Sequence, residues 1–144
     1  AGNVAVLPWD FTVTNPESGE NNQSYYKREQ PALAKGTAMV ELSGLPAGQY
    51  TQRSYRVGYR ANDVYTSYLD LGAPPQLTRA QVERLRADSA GNPYLEQTLT
   101  VGHDGRFECE LALRENDVWL VVLQRSWPPY FGSPYTMPRP PAAM

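Results

Sequence analysis

A single cysteine, Cys109, and a single histidine, His103, exclude the chemistries that need these residues in pairs. One cysteine cannot close an internal disulfide, so packing and hydrogen bonds must hold the fold, and the compartment stays open. One histidine with no partner cysteine or carboxylate cluster has no metal-ligand spacing, and its place in a glycine-bounded turn marks it as a surface residue. Charge of one sign is also missing. The 13 basic and 15 acidic residues give a net charge of -2 without a block of either, which removes the footprint that a nucleic-acid backbone or an anionic membrane requires. No apolar run approaches the length of a membrane-spanning helix, and no basic region followed by an apolar run opens the chain. The expectation is a soluble chain with no nucleic-acid or membrane partner. Phosphate-cradling glycine loops, a serine elbow and metal-ligand spacings are absent too, so neither cofactor nor metal is expected.

What is present is rich in strands. A chain of 144 residues is the size of one domain, and its 13 prolines and 11 glycines point to many turns. Residues 4–13, VAVLPWDFTV, place Ala5, Leu7, Trp9 and Phe11 on one face of a strand. Pro8 donates no ladder hydrogen bond, which confines that strand to an edge or a bulge. A polar run follows over residues 15–24. Its Glu17 and Glu20 would act as a catalytic pair only if held at a fixed separation, which a solvated loop does not provide. Tyr25-Tyr26-Lys27-Arg28 reads as a short strand ended by Pro31. Residues 37–45 alternate, with Val40 and Leu42 on one face, and Pro46-Ala47-Gly48 turns the chain into the next strand, so the pair reads as a hairpin.

One helix is expected, over about residues 78–90. Thr78 is a good N-cap with Gln81 at the third helical position, a capping box, and Leu77 with Val82 forms a hydrophobic staple. Val82 and Leu85 supply a narrow apolar stripe, and Gly91 is placed to stop the helix at positive φ. Arg79, Arg84 and Arg86 form an anion patch or a solvated face, and the solvated face is the commoner arrangement.

Residues 94–101 and 106–113 flank Gly102-His103-Asp104-Gly105, the pattern of a second hairpin. Phe107, Cys109, Leu111 and Leu113 share a face. Cys109 therefore reads as a small buried hydrophobe, since a reactive thiol needs exposure and a basic neighbour. Arg114-Glu115-Asn116-Asp117 reads as a salt-bridged connecting corner in preference to an active-site cluster. It leads into residues 118–123, apolar on both faces and so a central strand. From residue 126 onward six prolines exclude a helix or a central strand. Trp127, Tyr130, Phe131 and Tyr135 would fasten this tail to a surface, and Pro138-Arg139-Pro140-Pro141 offers the alternative of a proline-recognition partner. The expected class is all-β: an antiparallel β-sandwich over residues 1–125 with one short surface helix, and a Pro- and aromatic-rich tail over residues 126–144.

The stretch that organises the chain is residues 50–75, YTQRSYRVGYRANDVYTSYLDLGAPP. Its first half alternates, Tyr55, Val57 and Tyr59 against Ser54, Arg56 and Arg60, as a half-buried strand does. Its second half breaks that pattern at Asn62-Asp63, a polar pair suited to a turn, among Tyr59, Tyr65 and Tyr68. An irregular tyrosine-rich segment on a strand end reads as a core lid, a sugar platform or a docking face.

Together with Leu7-Pro-Trp-Asp-Phe-Thr, Tyr25-Tyr26-Lys27-Arg28, Leu77-Thr78 and Arg114-Glu115-Asn116-Asp117-Val118, this stretch resembles the C-terminal part of family 39 glycoside hydrolases of the β-xylosidase type. The resemblance covers roughly residues 4–124 in a consistent order. It implies a β-sandwich attached to a catalytic (β/α)8 barrel that is not in this sequence, and hence a fragment, which also suits a chain that begins at Ala1. The two catalytic glutamates of that family lie on the barrel, so the resemblance assigns no catalytic role to Glu17, Glu20, Glu29, Glu41, Glu83, Glu96, Glu108, Glu110 or Glu115. The implied function is a non-catalytic accessory domain whose main partner is the barrel. The parent, of bacterial type, would be cytoplasmic, periplasmic or secreted, and would hydrolyse β-xylosides with retention. The candidate interdomain or ligand face comprises Trp9, Tyr55, Arg56, Tyr59, Arg60, Asn62, Asp63, Tyr65 and Tyr68. Two further outcomes remain open: self-association through that face, and xylo-oligosaccharide binding by an independent carbohydrate-binding module that uses some of the ten tyrosines and three tryptophans.

Overall fold

The computed structural model describes residues 3–12, 29 and 31–126. The expectations for Glu17, Glu20, the strand at residues 25–28 and the tail beyond residue 126 lie outside the described residues. Within them run β1 (Val4–Val6), β2 (Ala34–Leu42), β3 (Gly48–Val57), α1 (Val64–Asp70), α2 (Arg79–Asp88), β4 (Leu95–Val101), β5 (Phe107–Arg114) and β6 (Val118–Arg125). Every strand pairing is antiparallel. One sheet has the order β1-β6-β3-β4 and the other pairs β2 with β5.

The two sheets share one core. Val40 of β2 and Phe107 and Leu111 of β5 meet Tyr50 of β3, Val101 of β4, and Trp119, Val121 and Leu123 of β6. Each large apolar side chain so buried stabilises the fold by roughly 1.5–3 kcal/mol before the ordering cost. The all-β, antiparallel class is as expected, and so are the central place of β6 and the shared face of β5. Cys109 packs half-buried against the core, and burial pushes its thiol pKa up, which keeps it protonated and inert. β1 is an edge strand that closes after three residues, with Trp9 rejoining β6 through a single bridge to Val118. Pro8 sits in the gap, its carbonyl accepting from Trp119 N at 2.9 Å.

The two expected hairpins are instead crossings between sheets. β2 pairs with β5 and β3 with β4, so both the β2–β3 and the β4–β5 connections carry the chain from one sheet to the other. The polar turns mark where the chain bends but carry no information about the next strand's partner. What sets the partner is that the two corners lie against each other: Leu45 N donates to Gly105 O at 3.0 Å. Gly105 has φ 66°, and a Cβ there would meet Leu45 O at 2.8 Å.

The helix after Thr78 forms as its cap requires. Gln81 N donates to Thr78 Oγ1 at 3.3 Å and Thr78 N to Gln81 Oε1 at 2.8 Å, Leu85 is buried, and Gly91 takes φ 72°. Arg84 pairs with Asp88 and Arg86 with Glu83 on its exposed side, which is the solvated face. The expectation of irregular structure after Asp63 is corrected by α1, a seven-residue helix. Asp63 is its N-cap, accepting from Tyr65 N at 3.0 Å and Thr66 N at 3.5 Å.

Gly105→Ala is predicted to cost about 1–3 kcal/mol, because left-handed strain adds to a collision with the Leu45 carbonyl. Gly91→Ala has similar φ but no atom within 4 Å, so it should cost only ~1 kcal/mol. Urea unfolding of both variants separates the two effects, and equal losses would contradict the packed corners.

Candidate functional site

The nine candidate residues divide into three groups: six tied into the chain itself, Trp9 and Tyr55 on the outer sheet face, and Tyr65 lining a groove. Residues paired across antiparallel strands point to the same side of the sheet. Arg56 pairs with Trp119 and Ser54 with Val121, so they point inward, whereas Tyr55 pairs with Leu120 and Val57 with Val118, so they point outward. The inner side of β3 is thus the polar one at its end, contrary to what an apolar-in alternation would give. Gln52 and Ser54 are buried there, Gln52 Nε2 donating to Ser54 Oγ at 3.0 Å and accepting at Oε1 from Gln97 Nε2 at 2.8 Å.

Arg56 ends that inner row in a bidentate pair with Asp117. Its Nε lies 3.0 Å from Oδ2 and its Nη2 3.1 Å from Oδ1, with Arg114 N donating to Oδ2 at 2.9 Å. Asp117 is fully buried. The guanidinium also lies 5.7 Å from the centroid of the Trp119 ring, onto which Tyr94 packs edge-on at 5.3 Å. Gly58 leaves room for this carboxylate, since a Cβ at Gly58 would collide with Asp117 Oδ1. The Arg114–Asp117 corner is therefore a salt-bridged connection: Lys35 also pairs with Glu115 at 3.5 Å, and Asn116 takes φ 59°.

Tyr59 and Arg60 form the tip of a turn closed by Gly58 N to Ala61 O at 3.0 Å and Ala61 N to Gly58 O at 2.9 Å. Arg60 has φ 56° and bridges Glu29 at 2.6 Å and Asp70 at 3.1 Å. Tyr59 Oη donates to Glu29 Oε1 at 2.6 Å. The Tyr59 hydroxyl first, and the Arg60 guanidinium next, hold the Glu29 carboxyl below its ordinary pKa, while Tyr59, Glu29 and Asp70 raise that of Arg60. Asn62, at φ 49°, donates through Nδ2 to Arg56 O at 2.8 Å and accepts at Oδ1 from Gly91 N at 3.2 Å. Tyr68 Oη donates to Pro74 O at 3.0 Å. Arg56, Tyr59, Arg60, Asn62, Asp63 and Tyr68 are thus occupied in holding the chain to itself.

Only Trp9 and Tyr55 lie on the outer sheet face. Trp9 is 64% exposed, and so are its alternate neighbours Leu7, at 52%, and Phe11, at 76%; the sequence pattern contained this row without telling which side is out. Between this face and α1 lies a groove of about 450 Å³ lined by Val57, Tyr59, Val64, Tyr65, Glu115 and Asn116, among others. Among the described residues the buried Tyr65 hydroxyl and Trp119 Nε1 find no hydrogen-bond partner. Among the described residues no three His, Cys, Asp or Glu side chains gather as metal ligands, and no helix is long and apolar enough to cross a membrane.

The fold and this self-satisfied polar network define an antiparallel β module with an apolar outer face. No protein-family model and no curated protein matches the chain. Among solved structures it is similar to a family 39 glycoside hydrolase from Xanthomonas axonopodis pv. citri, with 31% identity and a TM-score of 0.79 over 87% of this chain and 24% of that one. A monomeric β-xylosidase from Caulobacter crescentus CB15 gives 33% identity and a TM-score of 0.76 over 86% and 24%. A family 39 β-xylosidase from Caulobacter crescentus gives 27% and 0.58 over 85% and 20%. The resemblance carried by the motifs therefore stands: the chain is similar, over most of its length, to one region of family 39 glycoside hydrolases. It spans about a quarter of their length.

Two outcomes are predicted for the polar network. Arg56→Met strands the Asp117 carboxylate in the core and should cost ~3–5 kcal/mol in denaturant unfolding, and a loss near zero would remove the pair from its structural role. For Glu29 the folded pKa is depressed, so its tie to the Tyr59–Arg60 turn is complete above the ordinary carboxylate range and lost as pH falls through the lowered value. Tyr59→Phe should move Glu29 upward in a carboxyl NMR titration, and an unchanged midpoint would exclude the hydroxyl as the leading cause.

Proposed function

We propose that this chain is a non-catalytic accessory β module of a family 39 β-xylosidase-like glycoside hydrolase. The observation that carries this reading is the asymmetry of the match, 87% of this chain against 24% of its relative from Xanthomonas. In this reading residues 1–125 are the module and residues 126–144 a tail appended to it. Hydrolysis of β-xylosides of xylan-derived oligosaccharides, with retention, belongs to a (β/α)8 barrel outside this chain, and the module stabilises that barrel by burying surface against it.

The state of four of the described carboxylates supports the same view. A retaining glycosidase needs two carboxyl groups about 5–5.5 Å apart, one of them kept protonated by a raised pKa. Here Glu29 and Glu96 are both held low, Glu29 by Tyr59 and Arg60, Glu96 by Arg53. Glu115 and Asp117 are committed to Lys35 and Arg56. Such groups serve as anchors.

An aryl-β-xyloside assay on the 144-residue chain should give no turnover, and affinity electrophoresis through xylan should show no retardation. Turnover would overturn the reading, and retardation without turnover would replace it with an independent carbohydrate-binding module.

A further inference from the structure

We infer that the β1 half of the outer face of the four-stranded sheet, the stripe Leu7, Trp9 and Phe11 with Val57 and Val118, is the surface on which the catalytic barrel seats. This inference rests on the accessory reading above and adds where the contact lies. The register puts three of these residues together: Trp9 bridges Val118, and Val118 pairs with Val57 on the neighbouring strand, while Leu7 and Phe11 flank Trp9 at every second residue. Leu120 and Val122 continue the same apolar side of β6.

The outer face is not uniform. Toward its other end it carries Arg53, which binds Glu96 at 3.0 Å through Nε and Gln124 at 3.2 Å through Nη1, a saturated polar cluster of the kind found at an interface rim. In the β1 half the polar bonds among the described residues run between Asp10, Thr12 and Asn116, which alternate with the apolar stripe. Trp9 and Phe11 alone leave on the order of 250 Å² bare, taking the area a Trp or Phe buries as the measure. With Leu7, Val57 and Val118, each at least 39% exposed, the stripe reaches the size at which apolar patches mark contact sites.

A second feature points the same way. Val57 belongs both to the stripe and to the lining of the groove, so stripe and groove form one continuous surface. The occupant is identified by size and chemistry: relatives carry about three quarters of their length beyond the region matched here, and what covers the stripe must itself be apolar.

The test is a chimaera in which this chain replaces its matching region in the Xanthomonas enzyme, compared with the isolated chain by hydroxyl-radical footprinting. Leu7, Trp9 and Phe11 should lose at least threefold in modification rate in the chimaera, with Arg53 and the exposed side of α2 unchanged. Trp9→Asp should lower the melting temperature of the chimaera by several degrees and leave that of the isolated chain within a degree. Protection confined to another face, or an equal effect of Trp9→Asp in both proteins, would overturn this inference alone. No protection anywhere, or a chimaera that does not fold, would sink the accessory reading with it. Protection of the stripe in the isolated chain that rises with concentration would assign the face to a second copy instead.

Discussion

A fully buried carboxylate sets the terms for the rest of this structure. Asp117 sits where the end of β3, the β5–β6 corner and the extension of β1 meet, and its desolvation is offset only because Arg56 and Arg114 N fill its oxygens. Its backbone takes part as well, Asp117 O accepting from Asp10 N at 3.0 Å and Asp117 N donating to Arg114 O at 3.2 Å. From there the connections run outward: Arg56 O accepts from Asn62, and Asn62 accepts from Gly91 beyond α2. The absent Cβ of Gly58 is part of the same arrangement. A polar network of this kind is worth more than its pairs, because each member fixes the next.

That network explains why the aromatic and arginine side chains of residues 55–68 divide as they do. Those near the ion pair and the Tyr59–Arg60 turn are spent on internal order, which leaves one half of the outer sheet face to its apolar side chains. An enzyme domain that contributes no reacting group still has to hold a neighbour in one orientation, and a rigid sheet does this better than a loop. The proposed accessory role needs a stiff platform with one unsatisfied side.

Much of this was legible in the sequence where the signal is local. The α2 boundary was, since four positions around Thr78 agree, and so was the inward face of β5, since Phe107, Cys109, Leu111 and Leu113 repeat at every second residue. The crossings at Leu45 and Gly105 were not, because a turn sequence specifies a bend and the choice of sheet is made by residues 60 positions apart. The inward polar row Gln52, Ser54 and Arg56 escaped for the same reason: its partners Gln97, Val121 and Asp117 are supplied by distant strands. The short helix α1 spaces Val64, Tyr65, Tyr68 and Leu69 as a helix does, but seven residues are too few for that period to stand out, and its Asp63 N-cap is shared with ordinary turns. Of the candidate face, Trp9 and its neighbours Leu7 and Phe11 were readable as a row, while its outward direction depends on β6.

The place of β6 in the sheet has a temporal side. Both β1 and β3 are bonded to β6, so the pairing that unites the first strand with the middle of the chain does not exist until Val118–Arg125 is present. Among the described strands, a ribosome delivers this one last. Until then β1 has no ladder partner among the described strands and β3 is bonded along one edge only, to β4, so the four-stranded sheet closes in one late step across long sequence separations. Synthesis order thus makes this unit assemble as a whole, and keeps its apolar edges in need of protection until the last strand emerges.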